Sequence, residues 1–102
     1  MDRQYDKLAK AFRALSDPKR VKIIDLLSRG ELCACVLLEC FEITQPTLSH
    51  DMRVLMEAEL VKNRRDGKRV YYSLNWDFFG DLNVKMREIC RKDSGPDGAP
   101  CC

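Results

Sequence analysis

A chain of 102 residues, 45% hydrophobic and 33% charged, supports one core and is too short for a second. That balance excludes a disordered or membrane-embedded protein, and no apolar run approaches the ~18 residues that a spanning helix needs. The net charge of +2 is modest, but residues 62–69 alone hold five positive charges and one negative, so positive potential concentrates there.

In chain order the pattern predicts four helices, a hairpin and a last helix. Tyr5, Leu8, Phe12 and Leu15 recur at helical spacing. Ser16-Asp17-Pro18 ends that helix and starts the next, with Asp17 as N-cap and Pro18 at the first helical position. Val21, Ile24 and Leu27 line one face of the second helix, and Gly30 suits a left-handed C-terminus. Leu32 to Phe41 reads as a short apolar third helix. Thr44 or Gln45 caps the fourth, on which Leu48, Met52 and Leu55 face inward. Alternation around Asp66-Gly67 signals a hairpin, with Val70, Tyr72 and Leu74 on one face. A last helix from about Trp76 to Lys92 carries Phe79, Leu82, Met86, Ile89 and Cys90 as an apolar stripe. The division is a domain over 1–92 and a flexible, Gly/Pro-containing tail over 93–102 that ends in Cys101 and Cys102.

Two short helices joined by a tight turn and followed by a hairpin describe a winged helix-turn-helix, mainly α with a β-hairpin. A helix that enters the major groove needs short polar side chains near its N-terminus. Gln45, Thr47, Ser49 and His50 meet that requirement, and Arg53 lies a turn further on. In the hairpin, an Asp66-Gly67 turn sets Arg65 against Lys68 and Arg64 against Arg69. Facing like charges destabilise a hairpin, so phosphate is the reason to retain them.

Six cysteines, five of them clustered at 33/35/40 and 101/102, do not resemble a secreted disulfide framework. The N-terminus has no apolar signal core, so the cytoplasm, where thiols stay reduced, is the expected location. Thiolates select soft ions. On a regular helix, residues two apart point about 160° away from each other. Cys33 and Cys35 therefore share an ion only if Cys33 precedes the first turn or if binding unwinds it. Cys40 supplies a further sulfur or packs as a small core residue.

Four blocks in order carry a resemblance: Leu15-Ser16-Asp17-Pro18-Lys19-Arg20, Glu31-Leu32-Cys33-Ala34-Cys35, Gln45-Pro46-Thr47-Leu48-Ser49-His50 and Gly67-Lys68-Arg69-Val70-Tyr71-Tyr72. Over about residues 5–90 the chain resembles the ArsR/SmtB family of metal-responsive bacterial repressors. The resemblance implies a homodimer on double-stranded operator DNA, released by an inducer. A Cys-x-Cys at the third helix is what arsenite- and antimonite-responsive members use, which assigns Cys33 and Cys35 to the inducer. The best-known pattern has a further cysteine where this chain has Leu38, so Cys40, Cys101 and Cys102 are the candidates for additional ligands. Leftover apolar groups, Tyr5, Phe12, Phe78, Phe79, Leu82 and Met86, are the expected dimer surface.

Other readings are a redox-responsive repressor and a cadmium- or lead-responsive one of the same fold. The only histidine, His50, lies on the DNA-reading helix, which disfavours an imidazole zinc site. A thiol-based carrier or reductase would have no use for the basic hairpin. No hydrolase-like Ser/His/Asp set or phosphate-cradling glycine loop occurs, so an enzyme is not expected.

Overall fold

The computed structural model describes residues 3–91. They form α1 (Arg3–Ala14), α2 (Pro18–Leu27), β1 (Leu32–Cys33), α3 (Ala34–Glu39), α4 (Gln45–Glu57), β2 (Val61–Asp66), β3 (Arg69–Leu74) and α5 (Trp76–Ile89). The predicted tail, the boundary at 92, and Cys101 and Cys102 lie outside the described residues. Among the described residues no helix is long and apolar enough to cross a membrane.

The helix starts follow their local chemistry. The Asp17 carboxylate accepts from the Lys19 N–H at 2.8 Å, which satisfies an orphan donor of α2 beside Pro18. Thr44 rather than Gln45 caps α4, accepting from the Thr47 N–H. Helix α4 ends in a Schellman arrangement: Leu60 N–H donates to Leu55 O, Glu59 N–H to Met56 O, and Glu59 adopts a φ of +67°. This turn feeds the chain directly into β2.

The core joins Leu8 and Ala11 of α1, Ile23 and Leu27 of α2, Leu37 of α3, and Leu48, Met52 and Leu55 of α4 to Tyr72 and Leu74 of β3. The apolar inward positions of α4 and β3 are therefore those expected. On α2 the inward face is rotated: Ile23 is fully buried, Ile24 partly, and Val21 is 49% exposed. Arg20, three residues before Ile23, shares the inward side because a buried carboxylate waits there. On α5 the stripe holds for Phe79, Leu82 and Met86, whereas Ile89 and the C-cap Cys90 are exposed.

Two expectations fail near the site. The third helix does not begin at Leu32. Leu32 and Cys33 instead form a two-residue strand, antiparallel to β3, with Leu32 opposite Tyr72 and Cys33 opposite Tyr71. Gly30, at a φ of +137°, redirects the chain towards that free edge, whose backbone groups then find partners. The hairpin accordingly becomes a three-stranded sheet in the order β1-β3-β2.

The hairpin loop is also one residue later than expected. Gly67 and Lys68 are its two residues, and Asp66 faces Arg69, Arg65 faces Val70 and Arg64 faces Tyr71. Only Gly67 has positive φ, the sign pattern of a type II′ turn. The facing like charges expected for Arg65/Lys68 and Arg64/Arg69 therefore do not occur. Opposite charges meet at Asp66 and Arg69 instead.

Candidate nucleic-acid interface and thiol site

With Leu48, Met52 and Leu55 turned inward, helix periodicity leaves Gln45, Ser49 and Arg53 as one exposed stripe of α4, with His50 beside it. Thr47 is half-buried, and its hydroxyl lies 3.0 Å from that of Thr44, within the helix cap. Arg65, Lys68 and Arg69 are exposed on the hairpin.

Arg64 is placed differently. Its Nε and Nη2 donate to the two Glu31 carboxylate oxygens at 2.8 and 2.7 Å, and its guanidinium lies 4.5 Å from the Tyr71 ring centroid. This bidentate pair holds Glu31 below the ordinary carboxylate range, chiefly through the Arg64 hydrogen bonds.

Sequence periodicity overlooked Asp51. It is 1% exposed, on the inward side of α4. Arg20 Nη1 reaches its Oδ1 at 3.1 Å, while Arg20 Nε donates to Ala14 O at 2.6 Å. Lys19 Nζ lies 3.4 Å from Oδ2, an ion-pair distance without hydrogen-bond geometry, so that oxygen has electrostatic compensation alone. One buried carboxylate thus fixes the end of α1 and the start of α2 against α4. Its position three residues after Leu48 was the available signal.

The thiols meet because Cys33 precedes the helix. It is the N-cap of α3, extended at φ −69° and ψ 145°, and its sulfur lies 2.8 Å from that of Cys35. Cys33 is buried and Cys35 exposed. Cys33 is held below the ordinary thiol value, first by the Cys35 thiol donating to it, then by backbone N–H groups at the start of α3 and by Arg69. No cap hydrogen bond closes on the Cys33 sulfur, so these N–H groups act mainly through their dipoles. Cys35 is raised by the same shared proton, by partial desolvation of its sulfur and by the Cys33 charge. The pair therefore loses its first proton early and its second late. Cys35→Ala is expected to move the Cys33 titration upward in pH, towards that of a free thiol. Ultraviolet absorbance of the thiolate checks this, and an unchanged midpoint would contradict the shared proton.

Cys40 does not join them. It caps the C-terminus of α3, is exposed rather than packed in the core, and its carbonyl accepts from Lys22 Nζ. Cys33 is not helical, so Cys40, seven residues on, does not share a helix face with it. Cys90 is exposed as well. Among the described residues no three His, Cys, Asp or Glu side chains cluster as a metal site.

An open cleft of about 730 Å³ brings the two chemistries together. Cys33, Cys35 and Leu38 form one side, Gln45, Leu48 and Ser49 of α4 another, and Arg65, Lys68 and Arg69 the basic rim, with Val70 and Tyr72 behind. The thiol pair thus opens onto the same space as the outward face of α4 and the hairpin tip.

Comparison with known proteins decides the family. Residues 17–63, from the α2 cap into β2, match the model for bacterial regulatory proteins of the arsR family. The chain is 50% identical over 101 residues to the arsenical resistance operon repressor of Staphylococcus aureus, covering 91% of this chain and 97% of that protein. The chain belongs to the arsR family. It is 47% identical over 91 residues to the arsenical resistance operon repressor of Staphylococcus xylosus, covering 89% and 88% of the two chains. A homodimeric winged helix-turn-helix DNA-binding domain from Mycobacterium bovis, solved in solution, matches with a TM-score of 0.70 at 25% identity, covering 90% and 85%. As an arsR-family member the chain is a winged helix-turn-helix regulator of transcription, not an enzyme.

Proposed function

We propose that the chain is a homodimeric repressor of an arsenical resistance operon that leaves its operator when trivalent arsenic or antimony binds Cys33 and Cys35. The observation that carries this reading is the 2.8 Å approach of two sulfurs in a cleft walled by α4 and the hairpin. Staphylococcal arsenical resistance repressors covering most of the chain support it. Gln45, Ser49, His50 and Arg53 are the base-reading set, with Thr47 ordering their helix, and Arg65, Lys68 and Arg69 hold phosphate. Half-exposed Tyr5 and Phe12, with partly buried Phe78, Phe79 and Met86, offer the α1/α5 surface for a second copy. Leu82, also expected there, is a core residue.

The chemistry is ligand exchange. Two thiols replace two hydroxides of arsenous acid, releasing two waters, and arsenic stays trivalent. Metal–thiolate bonds of about 2.3 Å, the zinc value, would set two sulfurs at right angles about 3.3 Å apart. The pair then opens by a few tenths of an ångström. That motion acts on a two-residue strand and the first turn of α3, both bordering the operator-facing cleft. Coupling of about 1–3 kcal/mol would weaken operator binding about 5–150-fold. A third sulfur, from Cys101 or Cys102, completes the inorganic site in this reading.

The test is arsenite titration of the operator complex by wild type, Cys33→Ser, Cys35→Ser and Cys101→Ser/Cys102→Ser. Loss of response in the first two variants is expected. Wild-type release by both would contradict the site. The sulfur contact also favours a second reading, in which a hydroperoxide oxidises one thiol to a sulfenic acid, leaving as the alcohol or water, and the other thiol displaces water from it to form a disulfide. Release by peroxide in the absence of metal would mark that route.

A further inference from the structure

We infer that Glu31 and Arg64 couple the thiol pair to the hairpin, so that Arg64 is a positioning residue for inducer response rather than a phosphate contact. This rests on the proposed function. The two residues lie on opposite sides of β3: Glu31 immediately precedes β1, and Arg64 belongs to β2. Strands β1 and β2 are not neighbours, so the side chains join across β3. Register places Arg64 opposite Tyr71, and Tyr71 opposite Cys33, in one row across the sheet. The guanidinium sits over the Tyr71 ring and finishes on both Glu31 oxygens.

Two residues of backbone pairing are a weak attachment for β1. A bidentate arginine–carboxylate pair fixes orientation as well as distance, unlike a single surface ion pair. Opening of the Cys33/Cys35 sulfurs displaces β1 two residues after Glu31. With the clamp closed, that displacement carries β2 and the exposed Arg65 next to Arg64. With the clamp cut, β1 moves alone and the hairpin keeps its pose. Two of the five guanidinium N–H donors are committed to Glu31, and that carboxylate offsets the Arg64 charge, which weakens Arg64 as a phosphate contact.

The experiment measures operator binding of the full chain with and without saturating arsenite, at several salt concentrations, for wild type, Glu31→Gln, Arg64→Gln and the double variant. Arsenite protection of Cys33 and Cys35 from alkylation is followed in parallel. The ratio of the two operator dissociation constants cancels the charge change of each variant. The expected result is a release ratio at least about fivefold smaller in each single variant. Thiol protection and the salt slope stay as in wild type, and the double variant is no worse than either single one. A wild-type release ratio in Glu31→Gln overturns the coupling. So does an Arg64→Gln protein whose salt slope falls by about two, one phosphate contact per protomer of the dimer, with its release ratio intact. A wild type that arsenite leaves on the operator overturns both this inference and the proposed function, whereas a released wild type beside an equally released Glu31→Gln overturns the coupling alone.

Discussion

Replacing Arg65, Lys68 and Arg69 together by alanine is expected to weaken operator binding by at least about 100-fold at moderate salt. Three cations per protomer make six contacts in a dimer, and at about 0.9 each the salt slope should become shallower by about five. The three side chains are exposed around the Gly67-Lys68 turn and rim the cleft that α4 opens onto. Substitutions on α4 should behave differently. Gln45→Ala or Arg53→Ala removes groups that we propose read bases, so discrimination between operator and mismatched DNA should fall by about 1–3 kcal/mol, with a smaller change in salt slope. Operator titrations at three salt concentrations separate the two classes. A wing variant with an unchanged salt slope would contradict phosphate contact by the hairpin.

Asp51→Ala is expected to lower the unfolding free energy by about 3 kcal/mol, the lower part of the range for breaking a buried ion pair. The reason is the company that Asp51 keeps. Removing its carboxylate leaves the Arg20 guanidinium, only 14% exposed, without its 3.1 Å partner. Arg20 retains Ala14 O and a 3.7 Å contact with Asp17, which limits the loss. Urea unfolding at fixed protein concentration measures the change, because a dimer's stability depends on concentration. A loss below about 1 kcal/mol would place the pair with exposed salt bridges, and its part in fixing α4 would be refuted. Operator affinity of the folded variant should also fall, since α4 loses its ionic tie to α2.

The legible features were those with a period or a local cap. Leu48, Met52 and Leu55 marked the inward face of α4, and Asp17 and Thr44 marked helix starts through side-chain chemistry that acts within three residues. Strand β1 was hidden because two residues have no period, and only the β3 edge makes Leu32 and Cys33 extended. The turn slipped because Asp-Gly and Gly-Lys both suit two-residue loops, and the Asp66–Arg69 pairing appears only once the register is fixed. Arg64 read as one more cation because its partner Glu31 lies 33 residues away in sequence. The alternative in which Cys33 stands before the first turn was visible from helix geometry, and it is the arrangement found.

The most direct measurement follows two signals in one arsenite titration of the operator-bound protein: DNA release, and protection of each cysteine from alkylation, resolved by peptide mass spectrometry. The expected result is that Cys33 and Cys35 become protected together, with the same midpoint as release. Release while both remain fully alkylated would contradict the account, most plainly if Cys101 and Cys102 were protected in their place.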